Sequence, residues 1–236
     1  MGINQINLFG IQDIKQDKSY RAIRHDIIRF KQENNNLEVH HPDQKINQIK
    51  KVLSEFVGWG DKSTLELFSG HGNCTKIYAE YGEVIANELK QSVFIKLKEN
   101  TKDCMLVHCN KVDSFIYYHE LIALKQKFDI IDLDPYGFPN RLFPDIFLLI
   151  DNGYMFITMP KPYVNILNGI TQTHLISYYG ETNPSYEKII ERIVLWGLCH
   201  WRKIEIIDCI DCKSIWRIAV KVNKVKATEY TGVKNR

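Results

Sequence analysis

Apolar residues near the start of the chain recur at helical spacing. Ile23, Ile27 and Phe30 fall on one face, and Ile46, Ile49, Val52, Leu53 and Phe56 on another. Pro42 and Asp43 are placed to open the second of these helices, and Gly58 and Gly60 to close it. Beyond Gly60 the period changes. Short apolar runs suited to strands cover Thr64–Phe68, Glu83–Asn87, Cys104–His108, Phe128–Leu133 and Gly153–Met159. Between and after them, helical patterns are expected at Cys74–Tyr81, Leu89–Asn100, Val112–Lys125, Phe143–Ile150 and Ser185–Leu198. Two further strands, Trp201–Ile207 and Ser214–Val222, are separated by only a short polar turn.

Strands that alternate with helices predict a parallel sheet covered on both faces. The last two strands lack the long crossover that a parallel pair needs, so they must form an antiparallel hairpin. The expected fold is therefore α/β: a Rossmann-like sheet of seven strands, mostly parallel, ending in a C-terminal antiparallel hairpin. The expected organisation is a helical N-terminal extension (1–60), the sheet domain (61–223) and a basic tail (224–236).

Composition narrows the class. With 236 residues and 44% hydrophobic content the chain can bury one sizeable core. No apolar run is long enough to span a bilayer. The first residues carry no basic start followed by an apolar block, and Ile6 stands where a myristoylation signal needs Ser or Thr. Six scattered cysteines suit a reducing compartment, so a cytoplasmic protein is expected. A net charge of +3 permits a polyanionic partner without demanding one. Basic residues gather at both ends: Lys15, Lys18, Arg21, Arg24, Arg29 and Lys31, then Lys221, Lys224, Lys226, Lys234 and Arg236. They read equally as solvated surfaces or as nucleic-acid contacts.

Candidate chemistry begins at Leu65–Gly72, LELFSGHG, where an acid precedes a two-glycine turn from strand to helix. Glycines let the chain turn sharply and let a cofactor lie against bare backbone, at the strand ends where open parallel sheets bind ligands. The rival is a dinucleotide loop, but Thr75 stands at its third glycine position. Glu88, just after the second strand, is placed to accept both hydroxyls of a ribose, or else is a plain acid at a helix N-terminus. A sheet of this order with this loop resembles the class I S-adenosylmethionine (SAM) methyltransferases. The resemblance implies SAM as cofactor, with Glu66 facing its ammonium, Phe68 in the same loop, and Gly70 and Gly72 under its methionine and ribose. It also implies Leu89 packing on the adenine and Asn110 reading the adenine amino group. As a bare sequence feature, Asn110 reads equally as a turn or cap residue.

The second feature is Asp132–Pro139, DLDPYGFP, directly after the fourth strand. An exocyclic amine on a nucleobase is a poor nucleophile because its lone pair is delocalised. The Asp134 carboxylate and the Pro135 carbonyl can accept its hydrogens and free that lone pair. The carboxylate also stabilises the positive charge that develops and can take the proton. Tyr136 offers a stacking face for the base. Asp132 is grouped with the cofactor-binding positions, its alternatives being to orient Asp134 or to close the strand. Asp134-Pro135-Tyr136-Gly137 resembles the D-x-D-P-F/Y-G motif of the tRNA guanine-26 N2-dimethyltransferase family, across roughly Thr64–Met159. That resemblance implies catalysis by Asp134, Pro135 and Tyr136 on an amino group in RNA, guanine N2 foremost. Alternatives are a DNA adenine-N6 or cytosine-N4 methyltransferase and a non-catalytic SAM-binding subunit.

Three further features of the sequence bear on a site. Residues 160–184 show little periodicity and are expected to be a long loop, with Tyr163, His174, Tyr178 and Tyr179 either forming a lid or lying partly buried. Arg24, in RAIRHDII, faintly resembles an N-terminal arginine of the same family. Cys199, His200, Cys209 and Cys212 suggest zinc, but His200 and Cys209 bracket one extended strand, roughly 25–30 Å apart at about 3.3 Å per residue. No metal site is expected.

Overall fold

The computed structural model describes residues 42–54, 60–135, 137–161, 169–212 and 215–226. The chain divides into residues 1–40 and 41–236, and the elements below belong to the second unit. The helix expected around Ile23–Phe30, Arg24, Phe56, Gly58, Tyr136 and Tyr163 all lie outside the described residues.

The first described helix, α1 (Pro42–Leu53), has Asp43 in its first turn and Lys50 and Lys51 in its last, as the helix dipole favours. Then follow β1 (Lys62–Glu66), α2 (Asn73–Tyr78), β2 (Gly82–Asn87), α3 (Gln91–Asn100), β3 (Val107–Asn110), α4 (Ser114–Ala123) and β4 (Ile130–Leu133). A 3-10 turn at Pro139–Arg141 leads into α5 (Phe143–Ile146), a second turn at Phe147–Leu149 and β5 (Asn152–Pro160). The last elements are α6 (Gly169–Tyr179), α7 (Tyr186–Cys199), β6 (Arg202–Asp211) and β7 (Ile215–Lys224). The side chains of Asp113 and Ser185 cap α4 and α7.

The strands form one seven-stranded sheet in the order β3-β2-β1-β4-β5-β7-β6. The first five strands pair in parallel, and β7 runs antiparallel to both β5 and β6. Alternation along each strand sorts the core into two layers. Leu65, Ile131, Leu133, Met155, Ile157, Ile218 and Val220 pack with α4–α7 on one face. Ile130, Phe156 and Ala219 pack with Ile49, Val52, Leu53 and Tyr78 of α1 and α2 on the other. Among the described residues no helix is long and apolar enough to cross a membrane.

Three local expectations change. Strand β3 starts at Val107, three residues later than the apolar run suggests, because its pairing with β2 sets Val84 against Val107 and Asn87 against Asn110. Met105 is left 95% exposed in the turn before it. The long loop expected over residues 160–184 contains α6. Among its described side chains it buries Leu175 and Tyr179, one turn apart, while Ile176 between them is half-exposed, so its apolar pattern is thin. The hairpin strands β6 and β7 run longer than predicted, with a register irregularity between Ile206 and Asp208.

Candidate active site at the carboxyl ends of β1, β2 and β4

On the face covered by α1 and α2, a row of polar side chains crosses the sheet. Glu66 (β1), Asp132 (β4), Thr158 (β5) and Arg217 (β7) are all at least nine-tenths buried. Glu66 sits opposite Asp132, and Thr158 opposite Arg217, in the strand registers. Arg217 reaches back to grip both oxygens of Asp132 at 2.7 and 2.6 Å and donates to Thr158 at 2.9 Å. Tyr78 donates to Asp132 at 2.7 Å. The Asp132 carboxylate is therefore engaged on both oxygens by protein donors.

Glu66 accepts from the Thr75 hydroxyl at 2.5 Å. Burial, followed by the charge of Asp132, pushes its carboxyl up to about 8 against the pull of Thr75. At neutral pH Glu66 thus keeps its proton. Thr75, singled out in the sequence only as a departure from a dinucleotide loop, is the partner of Glu66. Cys74 lies within 4.8 Å of Glu66 and Asp132. Burial, reinforced by Asp132 and Glu66, raises its thiol and keeps it protonated.

The glycine loop joins β1 to α2. Gly70 (φ 55) and Gly72 (φ 84) both take left-handed conformations. A Cβ on Gly72 would come within 2.8 Å of Leu97 Cδ1 and 3.0 Å of Thr101 Cγ2, so this glycine lets α3 close on the loop. Around Gly70 the Cβ position meets nothing within 4 Å, and the bare backbone faces open space. Glu88 lies across this space. One of its oxygens accepts from the Gly70 amide at 3.2 Å, and the other accepts from the Lys90 amide at 2.8 Å. Leu89 beside it is 53% exposed. Phe68 is half-buried against the core of the opposite face. Asn110 ends β3, and its amide donates to the Tyr117 hydroxyl at 2.8 Å. A residue passed over in the sequence, Asn87, holds this edge together: its amide donates to the Leu67 and Val112 carbonyls and to Ser114.

The second loop leaves β4. Lys45 of α1 donates to an Asp134 oxygen at 2.6 Å. Lys45 is 6% exposed at its side chain and Asp134 26%. Burial works to raise the Asp134 carboxyl, but Arg217, then Lys45, overcome it and hold the group below its usual range. The Pro135 carbonyl accepts from the Gly137 amide at 2.9 Å, which tightens the turn. Nothing in the sequence around Lys45 marks it, whereas Arg217 carries a signal: a charge on the inward phase of a buried strand, which must find a partner.

Two other expectations resolve. Tyr179 is buried, donates to Asn140 at 2.8 Å and packs on Trp196, as does Tyr178. These two tyrosines are packing residues rather than a lid. Cys212 is buried against Gln44, with Sγ to Oε1 at 2.9 Å. The His200 ring contacts the Pro144 carbonyl.

The residues present suit a ribose-bearing cofactor. An open glycine backbone, a carboxylate across it and an exposed leucine beside that acid line one edge of the sheet. No family model matches this sequence, and no curated protein sequence is similar to it. Its fold matches solved methyltransferase structures. Trm1 from Pyrococcus horikoshii, solved with S-adenosyl-L-methionine, superposes with a TM-score of 0.60 at 17% identity, over 78% of this chain and 56% of that one. Trm5b from Pyrococcus abyssi gives 0.56 at 15% identity, over 76% of this chain and 48% of that one. The tRNA m1G37 methyltransferase of M. jannaschii gives 0.52 at 10% identity, over 76% of this chain and 49% of that one. This chain therefore spans about half the length of each. The sheet is the Rossmann-like methyltransferase sheet, with its terminal antiparallel hairpin.

Proposed function

We propose that this protein is a SAM-dependent methyltransferase acting on an exocyclic amino group of a nucleobase in RNA, with guanine N2 the foremost candidate. The observation that carries the proposal is the parallel register of β1 and β4, which pairs Glu66 with Asp132. Four residues past Glu66 lies Gly70, and two past Asp132 lies Asp134, so the cofactor-type loop and the acceptor-type loop leave neighbouring strands at the same edge. Support for RNA comes from the DLDPYG motif and from the fold shared with a tRNA methyltransferase.

In this reading SAM supplies a methyl group on a sulfonium sulfur. Glu88 takes the ribose hydroxyls, Gly70 and Gly72 line the loop, and Leu89 and Asn110 flank the adenine. Asp134 accepts a hydrogen from the substrate amine and stays ionised, because two cations hold it so. It acts by orienting the amine and by balancing the positive charge that grows on nitrogen. A carboxylate held low is a weak base, so the proton released after transfer goes on to water. Orientation matters because transfer needs a close in-line approach.

The test is transfer of label from methyl-tritiated SAM to unmodified tRNA transcripts, to ribosomal RNA and to DNA in parallel. Labelled N2-methylguanine in digested tRNA, lost in Asp134→Asn while SAM binding by calorimetry persists, is the expected result. Label in DNA alone replaces the RNA substrate by the DNA alternative, and absence of SAM binding overturns the proposal.

A further inference from the structure

The acceptor loop is tied to a helix that lies outside the strand-helix alternation. Lys45, on α1, is nearly buried, and its ammonium meets a single carboxylate oxygen of Asp134 at 2.6 Å. A lysine stem ordered this deeply gives up its rotamer freedom, and a buried charge is retained only where a partner answers it. Its neighbours on the inner face of α1 are not free to substitute for it. Gln48 is committed to Asp208 and the Arg217 carbonyl, and Ile49 and Leu53 to the core. Arg217 spends two of its nitrogens on Asp132 and Thr158. Lys45 is thus the cation in direct contact with the Asp134 carboxylate among the described residues.

We propose that Lys45 is a positioning residue for the methyl-accepting loop: its ammonium pins one Asp134 oxygen, so that the remaining acceptor sites of the carboxylate point at the substrate amine. This rests on the function proposed above and extends it to α1, which becomes part of the active site. A carboxylate has about four lone-pair directions, and the Lys45 ammonium together with a hydrogen bond from Thr158 still leaves room for an amine hydrogen. The ion pair and the Thr158 hydrogen bond together fix the carboxylate's rotation, and only the ion pair comes from outside the sheet.

The charged and titratable groups facing Asp134 are Lys45 from α1, Glu66 from β1, Cys74 from α2 and Arg217 from β7, with Asp132 on its own strand. Of these, Lys45 can be altered without breaking the Arg217–Asp132 pair.

The experiment compares wild type, Lys45→Met and Lys45→Arg in the full-length protein. Unmodified tRNA transcripts serve as the acceptor probe. Asp134 is titrated by the carbon-13 shift of its carboxyl, and SAM binding is measured by calorimetry. In Lys45→Met the expected results are a kcat lower by about 10- to 100-fold, unchanged SAM affinity, and an Asp134 titration and acidic limb of kcat both moved to higher pH. Lys45→Arg restores the pH behaviour and part of the rate. A purely structural lysine would also let the Asp134 titration move, but kcat per folded molecule would stay at the wild-type value, and that result overturns the proposal even if Lys45→Met is unstable. An active wild type whose Lys45→Met variant keeps its rate and acidic limb overturns the role of Lys45 alone. A wild type that binds SAM yet methylates none of the nucleic acids overturns the proposed function, and the role of Lys45 with it.

Discussion

Arg217 of β7 holds Asp132 of β4 through two hydrogen bonds of 2.6 and 2.7 Å, reaching across β5, with both side chains 1% exposed. This pair clamps the antiparallel hairpin to the parallel half of the sheet directly beneath the two candidate loops. Arg217 also lies over the Phe156 ring, 5.5 Å from its centroid. Removing one partner of a buried pair strands the other charge, at a cost of about 3–5 kcal/mol.

Arg217→Met is accordingly expected to lower stability by about 3–5 kcal/mol in urea unfolding. Adding Asp132→Asn should recover part of that loss, because the stranded charge is then gone. A double variant no more stable than Arg217→Met would contradict a clamp based on charge.

Glu66 makes stability depend on pH with a definite sign. Its carboxyl titrates at about 8 in the fold, above its ordinary value of 4.5, chiefly through burial and the nearby Asp132 charge. Folding therefore favours the protonated form. That contribution is complete below about 4.5 and is lost as pH rises through about 8. Glu66→Gln, which mimics the neutral acid, should flatten the stability profile over this window and gain on wild type at its alkaline end. Urea midpoints across the window measure it, and parallel profiles for the two proteins would refute it.

The two glycines of the first loop should separate. Gly72→Ala combines a left-handed backbone, costing about 1–2 kcal/mol, with a collision against Leu97 and Thr101, so it should lose clearly more stability than Gly70→Ala. Gly70→Ala meets only the backbone cost, since its Cβ enters open space. That space is where the proposed cofactor lies, so Gly70→Ala should weaken SAM binding while its melting temperature falls by only a few degrees, the backbone cost alone. Thermal unfolding and calorimetry on the same samples distinguish the two.

Glu88→Gln tests the ribose contact. A hydrogen bond to a charged group contributes about 1.5–3 kcal/mol, so SAM affinity should fall by about 10-fold or more. The fold should be little affected, because the other bonds of Glu88 go to the part-buried amide of Gly70 and the exposed amide of Lys90, which the glutamine oxygen can still accept from. Unaltered affinity for SAM in this variant would remove Glu88 from the cofactor site.

Local periodicity alone determined the alternation of strands and helices, the closing antiparallel hairpin, and the positions of the glycine loop, Glu88 and the Asp134 loop just after their strands. Those features depend on neighbours a few residues away, whose spacing fixes which face is apolar and where the chain must turn. The tertiary structure decided what depends on contacts between distant segments. The register with β2 moved β3 onto Val107–Asn110, and packing on Trp196 made Tyr179 a core residue of a helix with Tyr178 half-buried beside it. Arg217 could be read as an inward charge, but Asp132 lies 85 residues away and only strand order makes them partners. Lys45 is 89 residues from Asp134 and looks in sequence like any solvated lysine. Hydrophobic period records which way a side chain faces, while the partner of a buried charge is chosen by strand order and helix docking, which no short window of sequence contains.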